Sequence, residues 1–259
     1  MAGNRKAVGV VAAEERVITD PEQLEWIDSG EMSGVPPGVR VKVLSESAER
    51  GIRNLLVSFP AGYVEPRHIH DHNHSTFLLQ GHWIIEGKKV GPGGYMYGPA
   101  GVPHGPFESP EGSLVFASRT GGTGLYEFPP PPEAEEAHRD KRTIIIDPSE
   151  IEWEDVATES NLPEGIRFKA YAYDEETGRR DGLVTFPPGY VEPRHTHGSV
   201  HSDALLEGRW IIEGQEVRIG GFIYGPPNIL HGPFECPDGV VACVASFGSV
   251  EDRKHVWSK

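Results

Sequence analysis

Cysteine is nearly missing from this chain of 259 residues, which holds only Cys236 and Cys243. Two thiols make no disulfide framework, so a reducing, cytoplasmic setting is expected. Positive charge is also in deficit: 24 Lys and Arg face 39 Asp and Glu, a formal net charge of −15. A surface of that sign repels phosphate backbones and anionic headgroups, so neither nucleic acid nor a membrane is expected as a partner. Long apolar runs are missing too, and no stretch approaches the roughly 20 residues that span a bilayer. The run from Ala7 to Ala13 is short, contains Gly9 and lacks a cleavage pattern, so it is expected to lead into the first domain and not to be a signal peptide. Finally, no helical periodicity is sustained over a dozen residues, which points to an all-β protein.

What the chain has in quantity is turn formers, with 32 Gly and 23 Pro, and enough apolar residues (37%) for packed cores. Short runs rich in Val, Ile, Leu, Phe and Tyr alternate with these turns, as at Val39–Leu44, Asn54–Phe59, His82–Glu86 and Ser113–Ser118. Such spacing predicts a sandwich or barrel. The chain also repeats itself. Phe59–Gly87, FPAGYVEPRHIHDHNHSTFLLQGHWIIEG, returns as Phe186–Gly214, FPPGYVEPRHTHGSVHSDALLEGRWIIEG, a shift of 127 positions. The same shift relates Asp20-Pro21 to Asp147-Pro148, Trp26 to Trp153 and His104–Glu108 to His231–Glu235, without a gap. Two tandem domains of ordinary size follow, with expected bounds 1–128 and 143–259. Between them, residues 129–142 form a linker, four prolines (Pro129–Pro132) and then a charged run expected to form a short helical turn.

Eight of the twelve histidines fall on two superimposable sets: His68, His70, His74 and His104, then His195, His197, His201 and His231. In an H-x-H pair on a strand both imidazoles point to one face, about 6.5–7 Å apart along the chain, and can converge on one ion. His74 must return to that interior after a bend at residues 71–73, and His104 arrives on a separate strand. One such pair is weak, because surface strands carry them by chance; four histidines placed identically twice predict a divalent metal in each domain. The cysteines are not part of this pattern, since Ser109 and Phe116 stand in their places in the first copy.

These residues resemble the double signature of the cupins. Gly62, His68, His70, His74 and Gly81 fit its first half, and Gly93, Pro99, Gly101 and His104 its second; Gly189, His195, His197, His201, Gly208, Gly220, Pro226 and His231 repeat the match. The resemblance runs over nearly the whole chain and implies an all-β bicupin, two tandem jelly-roll barrels each with a metal inside. It departs from the family where a glutamate ligand is replaced by His74 and His201, where the closing Asn is Glu108 or Glu235, and where a Gly is Asn228. Four neutral imidazoles leave a divalent ion its full +2 charge, which favours an anionic ligand such as an enolate or carboxylate. The resemblance to all-histidine cupins that cleave β-diketones and dihydroxyacetophenones implies an Fe(II) dioxygenase acting with O2 on a small enolisable carbonyl or phenolic ketone. Ni, Zn, Mn and Cu remain open as the metal. So do a non-redox isomerase, lyase or hydrolase, a non-catalytic ligand-binding bicupin, and self-association into a homo-oligomer.

Glu108 and Glu235 share strand parity with His104 and His231, and are expected either to point inward as a catalytic base or ligand orienter, or to form a salt bridge at the barrel mouth. Arg67 and Arg194 have the opposite parity and are expected to turn away, pairing with Glu65, Glu192 or a neighbouring strand. His72, which is Ser199 in the second copy, and His82 are expected at the rim or in solvent. Tyr97 and Tyr224 are expected as core aromatics, and Trp83 and Trp210 as packing.

Overall fold

The computed structural model describes residues 15–29, 37–138, 142–156, 162–174 and 178–258. The run Ala7–Ala13 and part of the charged linker run lie outside them. Nearly every element is a strand, as the sequence implies, and the one α-helix among the described residues is Pro132–Ala137, placed where the charged run follows the prolines. None of the described helices is long and apolar enough to cross a membrane.

Two barrels repeat one plan. In the first, a seven-stranded sheet runs in the order Ile144–Ile146, Tyr95–Gly98, Asn73–Gly81, Ser113–Thr120, Ile52–Phe59, Arg40–Ser47 and Ile27–Asp28. A four-stranded sheet of Tyr63–Glu65, Phe107–Ser109, Trp83–Ile85 and Lys88–Val90 closes it. The second barrel matches strand for strand, from Val17–Thr19 beside Phe222–Gly225 out to Glu154–Asp155. The central strands are buried on both faces, so their middles, Leu55–Val57, Phe77–Leu79 and Val115–Ala117, are unbroken apolar stretches instead of alternating ones. Along Asn73–Gly81, His74, Thr76 and Leu78 face the barrel interior. Phe77 and Leu79 face the other way, into a core shared with Tyr171, Leu183, Leu206 and Phe222 of the second barrel. Cutting a residue such as Phe116, fully buried in that shared core, down to Ala is worth about 3–5 kcal/mol.

The first strand of each repeat is exchanged between the large sheets. Val17–Thr19 pairs with Phe222–Tyr224 of the second barrel, and Ile144–Ile146 pairs with Tyr95–Tyr97 of the first. The linker therefore marks where the sequence repeats and not where the barrels divide, because an edge strand goes to whichever sheet edge is adjacent in space. Side chains reinforce the exchange: Arg16 reaches Glu213 at 2.5 Å, and Lys88 reaches Glu150 at 2.7 Å.

A polar cluster lies between the barrels. Asp181, with no exposure, accepts from Ser75 Oγ at 2.6 Å and Tyr95 OH at 2.5 Å and pairs with Arg179. At the mirror position Asn54 donates to Ser45 at 2.9 Å and Ser202 at 3.1 Å. Duplicated backbone has thus kept a buried polar site on each side while only one side is ionic.

Candidate metal centres

In the first barrel the chain bends after Ile69–His70 and re-enters as Asn73–Gly81, which brings His74 back toward the interior. His68 and His104 come together as a backbone bridge, each N–H donating to the other's carbonyl at 3.0 Å. The turn before His104 ties in His70, whose carbonyl accepts from Gly101 N–H at 2.8 Å. Gly101 adopts φ 72°, and Asn228 holds the same place in the second copy at φ 64°. Asn is one of the few residues other than glycine that visits this left-handed region routinely, so the departure from the family pattern leaves the turn intact.

Donor atoms of His68, His70 and His104 lie within 4.8 Å of one another, as do those of His195, His197 and His231. Backbone carbonyls two residues upstream hold the Nδ1 atoms: Pro66 and Val102 for His68 and His104, Pro193 and Ile229 for His195 and His231, at 2.7–2.9 Å. A ring donating from Nδ1 presents the Nε2 lone pair, the arrangement a metal ligand needs. The Nε2 atoms of His70, His74, His104, His201 and His231 are buried without a hydrogen-bond partner. Desolvation pushes the imidazoles down, His68 to about 4, His104 to about 3 and His195 to about 3. They are neutral at pH 7, so no proton competes with a cation. Orphaned, unprotonated, convergent nitrogens fit a borderline divalent ion.

His74 and His201 stand just outside these triads. The His74 ring centroid is 4.6 Å from that of His70 and 5.5 Å from that of His104, and its Nδ1 meets Thr76 Oγ1 at 2.7 Å. Its Nε2 lies over Gly98, where a Cβ would come within 2.3 Å. In the second barrel the equivalent support is a carboxylate, Asp203, 2.5 Å from His201 Nδ1.

The cavities around the two centres differ. The first encloses about 470 Å³, with Val39, Leu55, Phe59, Trp83 and Met96 on its apolar wall and Glu65, Arg119 and Tyr126 beside the histidines. Arg119 donates to Tyr126 OH at 2.8 Å. Glu65 accepts from Tyr63 OH at 3.2 Å and lies 3.9 Å from His68 Nε2; burial raises its carboxyl to about 7. The second cavity is about 130 Å³. There Phe168 and Val244 line the space that Val41 and Ala117 line in the first.

Several expectations need correction. Glu108 and Glu235 do not line either cavity: Phe107 and Phe234 do, and the glutamates pair on the opposite face with Val64 and Val191, both more than half exposed. The left-handed turn at Gly105 (φ 93°) interrupts the strand after His104, so parity counted from the histidine fails. Arg67 does turn away, but it pairs with Glu135 and Glu86, and Arg194 donates to the Gly232 carbonyl. Glu65 and Glu192 are the glutamates that line the cavities. Their signal was present, since each sits two residues after a repeated tyrosine in the same GYVEPRH stretch of both copies. His72 is buried, with its ring stacked on His70 at 4.3 Å, not at the rim. His82 is partly buried and lies 3.3 Å from Glu111. Tyr224 is a core residue, and Tyr97 lies under Arg179, whose guanidinium is 3.6 Å from the ring centroid. Trp83 and Trp210 are buried, and each also lines its cavity.

Comparison with known proteins agrees with this architecture. No protein with a curated description matches the sequence. Among solved structures, a presumed dioxygenase of Nostoc punctiforme superposes with a TM-score of 0.76 at 15% identity, over 95% of this chain and 87% of that one. AerE of Microcystis aeruginosa gives 0.57 at 13% identity over 90% and 99%. A point mutant of Bacillus subtilis oxalate decarboxylase gives 0.58 at 14% identity over 93% and 79%. At such identities these likenesses speak to the fold. The ChrR Cupin-like domain family matches residues 14–123 and again residues 141–251. The chain is a bicupin, and it belongs to the ChrR cupin-like family.

Proposed function

We propose that the first barrel is the active site of a metal-dependent dioxygenase that cleaves a C–C bond beside an enolisable carbonyl or phenolic ketone. His68, His70 and His104 would hold the ion, with His74 as a fourth donor. The observation that carries this reading is the union, in one cavity of about 470 Å³, of orphaned neutral imidazoles with two arginines, Arg53 and Arg119, and a set of apolar side chains. An Fe(II) ion in such a place supplies Lewis acidity toward an enolate oxygen and one-electron chemistry with dioxygen. Arg119 and the Tyr126 hydroxyl it holds would bind the anionic oxygen of the substrate. Val39, Leu55, Phe59 and Trp83 would pack its apolar body and exclude water. Glu65, in the cavity wall, would take the proton lost on enolisation. The likeness to the Nostoc protein supports the reading at the level of fold.

The test is oxygen uptake by the iron-loaded protein over a panel of β-diketones and hydroxyaryl ketones. Uptake stoichiometric with cleavage, both oxygen atoms entering the products, is expected. Substrate consumption without oxygen uptake would replace this reading by a Lewis-acid isomerase or lyase, and no consumption by a binding protein.

A further inference from the structure

The second barrel carries one histidine outside the repeat. Tyr126 lies opposite His70 in a short strand pair, whereas in the second barrel Val256 and Trp257 pair with Thr196 and His195. Continuing that register by one residue puts His255 opposite His197, so His255 occupies the place of Tyr126 although it is 129 positions away, not 127. Its ring is 4.4 Å from that of His195 and 5.3 Å from that of His197. Glu192 has also changed partner. In the first barrel Tyr63 OH donates to Glu65, but the equivalent Tyr190 OH is buried without a partner. Instead, Glu192, only 4% exposed, lies 3.6 Å from His255 Nε2. Donor atoms of Glu192, His195 and His255 fall within 4.8 Å of one another, a second triad that shares His195 with the first. No such overlapping triad occurs among the described residues of the first barrel.

We infer that Glu192 and His255 are additional ligands of the second barrel's metal, making it a closed centre that holds its ion and takes no substrate. Closing the two triads, which share His195, onto one ion would give it five donors, and His201 a sixth, a filled coordination sphere for a first-row ion, with a carboxylate to offset one of its charges. The small cavity, about 130 Å³, agrees. In the first barrel Tyr126 and Glu65, the latter tied to Tyr63, leave coordination positions and cavity space open. The inference rests on the reading that each of the two repeated histidine sets holds a metal, and not on the dioxygenase chemistry.

Release of Co(II) to a chelator from the fully loaded chain tests it. Two ions per chain should leave in two phases, the slow one from the second barrel. His255→Tyr, which installs the first barrel's residue, and Glu192→Gln should each speed the slow phase by about 100-fold or more, beyond the effect of an outer-shell change, and leave the fast phase untouched. His255→Glu, which keeps a donor of similar reach, should restore slow release. The unchanged fast phase reports that the variants are folded. Two ions with a slow phase indifferent to His255→Tyr and Glu192→Gln overturn the inference alone. A wild-type chain that binds a single ion overturns it together with the two-metal reading.

Discussion

The two barrels share a frame and differ in their walls. Each bridges its first and last histidine through the backbone, holds their Nδ1 atoms on carbonyls two residues upstream, and sets a glutamate in the cavity lining beside them. What changes is what surrounds the frame. Thr76, Tyr126 and Arg119 of the first barrel are answered by Asp203, His255 and Ser246 in the second. Two neutral hydroxyls have become an anionic and a coordinating group, and Arg119 has become a serine, while Arg180 keeps the place of Arg53. Ligand geometry set by backbone survives duplication, because it depends on turns and strand register. Wall side chains are free to diverge, and they decide whether an ion can meet a substrate.

The deepest contrast lies between the barrels. Asp181→Asn, which copies Asn54, leaves Arg179 buried without its counter-charge and should cost about 3–5 kcal/mol. A denaturation midpoint no different from wild type would show that the ionic and neutral versions of this site are interchangeable. Next is the functional asymmetry. His104→Ala should lower turnover by more than about 100-fold, beyond what an outer-shell partner commands. His231→Ala should stay within about twofold, as expected for separate sites. Equal losses in steady-state assays would make both barrels catalytic. Within the first cavity, Arg119→Gln should raise KM for an anionic substrate by about 10- to 100-fold, the value of a charged hydrogen bond, and leave a neutral analogue unaffected.

A smaller difference separates the supports of His74 and His201. Asp203→Thr should weaken metal at the second centre by about 10-fold, and Thr76→Asp should strengthen the first, as expected of partners that orient a ligand. Metal titrations that do not respond would place both histidines outside the coordination sphere. The smallest effect is on pH dependence in the metal-free protein. Glu65 and Glu192 have folded values of about 7 and about 8, above the ordinary 4.5, so the native state holds their protons more tightly than the unfolded one. Stability from this source is complete below about pH 4.5 and is lost as pH rises through 7–8. Glu→Gln at either position should therefore flatten the loss of stability between pH 4.5 and pH 8 and change nothing at pH 4, with Glu192 the larger. Parallel wild-type and variant curves would contradict this burial.

The fold and the convergent histidines were legible because repetition filters chance: an H-x-H pair means little, the same four positions twice mean much. Strand exchange was not legible, since Val17–Thr19 and Ile144–Ile146 carry no mark of which sheet edge they join. Parity misplaced Glu108 because it was counted through the Gly105 turn, and it could have found Glu65, which follows Tyr63 on an uninterrupted strand. His255 was hidden by the two-residue change of register that breaks the repeat near the C-terminal end.

The central claim is that both histidine frames hold metal. It is tested most directly by elemental analysis of protein purified without added metals, in parallel with a His68→Ala/His104→Ala variant. Two ions per chain, falling to one in the variant, are predicted. Protein that carries no stoichiometric metal and recovers none on reconstitution with Fe(II), Mn(II), Ni(II) or Zn(II) would contradict it.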